Sequence, residues 1–186
     1  MKKIFSSILV LSLVLTFSAC GTAYTVDKML TPEQAEKIQA QLDEKLTALE
    51  NLDPAVDSEI DLTRSVAINY ERLGHYDKAI PYYERVLEID EIDFVALNNL
   101  MSIYEEVGDF DLAGQYMVTL FNNFYDRQGV VTDAVRIFLA RGEVDNATRA
   151  LEEYARKYQS PETASFINEQ FNYIQRVSKK LEEEAK

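Results

Sequence analysis

"LGHYDKAIPYYERVLEID", residues 73–90, reads as the end of one helix, a glycine turn and a second, amphipathic helix. Gly74 suits the turn because it accepts the positive φ at which many helices stop. After it, Ala79, Tyr83 and Val86 recur at helical spacing and predict one buried face. The pattern does not occur once. A shift of 34 residues carries Gly74 to Gly108 and Gly142, Tyr70 to Tyr104 and Phe138, and Tyr76 to Phe110 and Val144. The same shift carries Ala79 to Ala113 and Ala147, Tyr83 to Met117 and Leu151, and Val86 to Leu120 and Tyr154. Matching glycine, small and bulky positions over three units mean that one helical hairpin is repeated.

The spacing resembles the tetratricopeptide repeat family, whose unit is a 34-residue helix-turn-helix. The resemblance implies an all-α fold, a helical solenoid of about three repeats spanning 60–93, 94–127 and 128–161. The small residue usual in the first helix of that family is Ala67 here but Met101 and Val135 in the later units. The larger side chains predict wider helix separation there. Pro81 is read as lying in the first turn of its helix, where a missing N–H costs little. Residues 32–59 form an N-terminal helix and connector, opened by Thr31-Pro32-Glu33-Gln34, a capping box with proline at the first helical position. Residues 162–186 form a C-terminal helix with Phe166, Ile167, Phe171, Ile174, Val177 and Leu181 apolar and a charged tail, as expected of a solenoid cap.

Composition removes most catalytic templates. The chain has one cysteine and one histidine, so neither an internal disulfide nor a usual zinc site can be assembled, and a histidine triad would have only His75. A net charge of -13 works against nucleic-acid binding, which needs a basic stripe to replace phosphate counterions. Glu105-Glu106 and Glu152-Glu153 cannot converge on one substrate atom, because neighbouring helical residues point about 100° apart. His75 reads as a solvated turn residue. No phosphate loop, nucleophile elbow or metal motif is present in the sequence. The chain is therefore read as a non-enzyme, with no cofactor and no small-molecule substrate. Tyr70, Tyr76, Tyr83 and Tyr104 fall at repeat core positions, whereas Tyr82, Tyr116, Tyr125 and Tyr158 are surplus to them and are expected as surface contacts.

The N-terminus reads as an address. Lys2 and Lys3 precede an apolar run of fourteen residues, Ile4 to Phe17, and then small residues. This is the layout of a secretory signal, and the run is shorter than the ~20 residues that span a bilayer. Phe17-Ser18-Ala19-Cys20 resembles the bacterial lipobox. That resemblance implies cleavage after residue 19 and a lipid-modified Cys20 carrying a diacylglycerol and an N-acyl chain, followed by a tether over 20–31. Several chains anchor stably where one does so only marginally. An acidic body is repelled by anionic headgroups, so the membrane contact is expected through Cys20 alone, with the body exported and held at the inner or outer bacterial membrane.

In solenoids the first helices of the units line the inner groove, which takes peptides or partner helices. The family's groove positions fall on Asp61, Arg64 and Ile68, then on Asn98, Asn99, Ser102 and Glu105, then on Thr132 and Arg136. Arg64 and Asn99 match a family groove that clamps peptide carboxylates, whereas Ile68, Gly129 and Asp133 do not. Lying outside the apolar repeat positions, Arg64, Asn98, Ser102 and Arg136 are expected to be replaceable at little cost to stability. The functional expectation is a membrane-anchored adaptor or scaffold for a protein or peptide partner. The alternative is a structural subunit of an envelope assembly (outer-membrane, pilus or cell-wall machinery).

Overall fold

The computed structural model describes residues 30–185; the leader, Cys20 and the tether up to residue 29 lie outside the described residues. Eight helices follow in order: α1 (Pro32–Glu50), α2 (Glu59–Arg72), α3 (Tyr76–Ile89), α4 (Phe94–Glu106), α5 (Phe110–Phe124), α6 (Gln128–Ala140), α7 (Val144–Lys157) and α8 (Pro161–Glu184). No strand occurs among the described residues. Each helix packs on the next, and α8 also reaches back to α6. The fold is an all-α solenoid of tetratricopeptide type, three helix pairs flanked by α1 and α8.

The three hairpin turns are built alike. Gly74, Gly108 and Gly142 have φ of 75°, 83° and 74°. Each glycine N–H bonds to the carbonyl three residues back, and the next N–H reaches Tyr70, Tyr104 or Phe138, at 2.8–3.0 Å throughout. That pair of bonds satisfies the last carbonyls of each first helix. The aromatic residue before each turn therefore supplies a backbone acceptor as well as a side chain. At the other ends, side chains of Thr31, Ser58, Asp93, Asp109 and Ser160 cap α1, α2, α4, α5 and α8.

Pro81 corrects the sequence reading. Helix α3 begins at Tyr76, so Pro81 is its sixth residue and lies past the first turn. Its missing N–H removes a bond that the Asp77 carbonyl would otherwise accept.

Ala79, Ala113 and Ala147 are fully buried, as are Tyr83, Met117 and Leu151 one turn on. Ala67, Met101 and Val135 are buried too. Burying each large side chain contributes about 1.5–3 kcal/mol. One cluster joins α2, α3 and α4, and another runs from α4 to α8; half-buried Leu87, Tyr104 and Tyr116 touch both. The core is thus continuous along the array. The surplus tyrosines are part of this packing and not free contact points. Tyr82 stacks on Tyr70 and Tyr116 on Tyr104, while Tyr125 packs on Phe121 and Tyr158 on Tyr154.

Candidate functional site

The first helices α2, α4 and α6 bring the expected groove residues onto adjoining surfaces, and two ion pairs bridge from one helix to the next. Arg64 Nε and Nη2 donate to Asp93 Oδ2 at 3.1 and 2.6 Å, and Nη1 donates to Asp61 Oδ1 at 2.6 Å. Asp93 is only 8% exposed, and its other oxygen caps α4 by accepting from the Ala96 N–H at 2.8 Å. Arg136 forms ion pairs with Glu105 of α4 and, at 2.7 Å, with Asp133 of its own helix. Burial pushes the Asp133 carboxyl up to about 6 and lowers the Arg136 pKa.

The expectation that these arginines are replaceable at little cost is therefore corrected. Arg64 neutralises the buried Asp93 and Arg136 the desolvated Asp133, and removing the cation leaves that carboxylate uncompensated. Polarity placed both residues on the right face. It did not reveal that their donors are committed.

Asn99 is committed as well. Its Nδ2 donates to the Tyr83 hydroxyl at 2.6 Å, and that hydroxyl donates to Glu71. Burial, then the bond to Glu71, holds the Tyr83 phenol far above its ordinary value, so it stays a donor. Burial also raises Glu71, with a smaller contribution from the like charge of Glu106. Glu106 accepts from Tyr76 at 2.6 Å, and burial first, then that bond, pushes Tyr76 up to about 12. Glu105 and Glu106 thus diverge to different partners. Both residues that match a carboxylate clamp, Arg64 and Asn99, spend their donors inside the protein.

What remains open lies mostly on α4. Asn98 and Ser102 are half-buried, one turn apart, and their side chains make no hydrogen bond to the protein among the described residues. Half-buried Ile68 is at the Ser102-equivalent place on α2. Thr132, equivalent to Asn98 on α6, turns its hydroxyl back to the Gln128 carbonyl at 3.0 Å. Asp93 is the site residue that the sequence reading missed. An aspartate three residues before Ala96, where a new helix opens, is the capping signal that could have found it.

His75 is exposed at the start of α3 and makes no side-chain cap. No described helix is long and apolar enough to cross a membrane. A comparison with curated proteins gives no match. Residues 64–93, which run through α2 and α3, match the tetratricopeptide repeat family and support that reading of the repeated helix pair.

Proposed function

We propose that this chain is a non-enzymatic adaptor that holds a protein partner on its first-helix face, anchored to the bacterial envelope by lipid on Cys20. The observation that carries the first half is the pairing of a repeat fold with open polar groups on its central first helix. Asn98 and Ser102 are presented without internal hydrogen-bond partners among the described residues, and half-buried apolar Ile68 stands at the equivalent place on α2. Repeat proteins of this type act generally as protein-interaction modules. The anchor rests on Phe17-Ser18-Ala19-Cys20 behind an apolar run of signal-peptide length.

A photo-crosslinking residue at Ser102, compared with one at exposed Gln115 on α5, tests the surface in membranes. Crosslinks to a partner form from position 102 and not from 115; the reverse outcome rejects the face. Asn98→Ala with Ser102→Ala should leave melting unchanged and weaken capture by ~1 kcal/mol for each lost bond. For the anchor, Cys20→Ala should shift the protein out of the membrane fraction. An unmodified Cys20 in the wild-type membrane fraction, read by mass spectrometry, would refute it.

A further inference from the structure

Among the described residues, one face of α4 is left uncovered. Val95, Asn98 and Ser102 recur at helical spacing and share that face; Val95 is 36% exposed and the other two are half-buried. Charge marks both ends of it. At the N-terminal end Asp61 and Asp93 share the guanidinium of Arg64, and toward the C-terminal end Glu105 and Asp133 share that of Arg136. Each cluster sets two carboxylates against one cation. In the first of them the carboxylate is outermost, with the Asp61 side chain 66% exposed against 22% for Arg64.

The surrounding charge has the same sign. Helix α4 carries no basic residue, and α2, α4 and α6 together carry six carboxylates against three arginines. Arg127 stands near the start of α4, over the Phe94 ring at 4.0 Å, but the turns before α4 and α6 also hold exposed Asp90, Glu91 and Asp126. A segment ending in a free carboxylate therefore finds no unspent cation on the α4 face. A cationic segment finds an excess of carboxylates at each end of it.

We propose that this face receives an extended segment of a partner protein with two basic side chains about six residues apart, the interval that joins the two clusters. The inference rests on the adaptor reading above and adds the chemistry of the partner. Asp93 and Glu105 mark the clusters on α4, and the helix between them rises roughly 18 Å. Six residues of extended chain reach ~20 Å, and an even interval keeps both side chains on one side. A lysine stem lies over Val95 while its ammonium group stays at the carboxylates. Uncharged polar residues between the two cations meet Asn98 and Ser102.

The test uses the full-length protein in detergent micelles, with the amide signals of Asn98 and Ser102 followed by NMR. Acetyl-Lys-Ser-Thr-Ser-Thr-Ser-Lys-amide should move both signals, and the same peptide with glutamate at both ends should leave them in place. Acetyl-Lys-Ser-Thr-Ser-Thr-Lys-Ser-amide keeps the charge and length but puts its lysines on opposite sides. It should bind about two- to fivefold more weakly, the loss of one exposed charge pair. Asp61→Asn and Glu105→Gln each leave the arginine its second carboxylate, so the fold should persist and the peptide should weaken by a similar factor. Glu152→Gln, exposed on α7, removes the same charge and should change nothing. No response to the first peptide, equal binding of the two lysine spacings, or equal weakening by Glu152→Gln overturns the proposal. So does self-association of the wild-type chain that Asp61→Asn with Glu105→Gln abolishes, since a second copy would then occupy the face. Silence toward the peptide alongside Ser102 crosslinks in membranes rejects the basic segment and keeps the adaptor face. A peptide response without those crosslinks rejects the adaptor reading and keeps the charge assignment.

Discussion

Arg64 is on the first-helix face with its guanidinium already bonded to Asp61 and Asp93, so a substitution there acts on folding before it acts on any partner. Arg64→Met should cost about 2–4 kcal/mol in urea denaturation, because Asp93 keeps its charge in a desolvated place. Adding Asp93→Asn should recover part of the loss, since the amide oxygen can still cap α4. A double-mutant cycle reads the coupling. Asp133 supplies a pH test. Its folded pKa of about 6 lies above the ordinary carboxylate value, so the native state binds a proton before the unfolded chain does. Stability should therefore rise as pH falls from 7 toward 5, and Asp133→Asn should flatten that slope. An unchanged slope in the variant would assign it to other carboxylates, Glu71 first. The sequence made these residues visible as polar positions on a helix face. It did not show the bonds, because Arg64 and Asp93 are 29 residues apart and meet only when one unit stacks on the next.

At the scale of the element, the glycine spacing made the hairpins legible, since three positive-φ turns at one interval leave little freedom for the helices between them. The start of α3 was less legible. His75 makes no side-chain cap, so the boundary is set by the turn that closes α2 and not by a residue of α3. This is why Pro81 reads as a first-turn residue in the sequence and falls beyond the first turn in the structure. Pro81→Ala restores a backbone bond and should stabilise by about 1–2 kcal/mol. That is below the ~3 of a helix centre, because proline also restricts the unfolded chain. A lower melting temperature for Pro81→Ala would mean that the proline ring serves the packing of α3.

In the molecule as a whole, stability passes between neighbours, and the last unit depends on α8. Ile174 is buried there and Phe166 packs edge-on against Tyr154 of α7, so α8 covers apolar surface of the third unit. A chain ending at residue 160 should lose several degrees of melting temperature. Proteolysis should then cut first between residues 128 and 157, where the cover has gone. Equal protection of all three units would show that α8 is dispensable. Period and apolar spacing made this architecture readable. The hydroxyl of Tyr83 has a consequence of another kind, for the modularity of the array. It accepts from Asn99 of the following unit and gives its proton to Glu71. Remove the middle unit, and the 34-residue period survives, but Asp133 arrives where Asn99 stood. One phenol proton would then face two carboxylates. The units share a backbone spacing and are not interchangeable parts; their order is written in which neighbour brings a donor and which an acceptor.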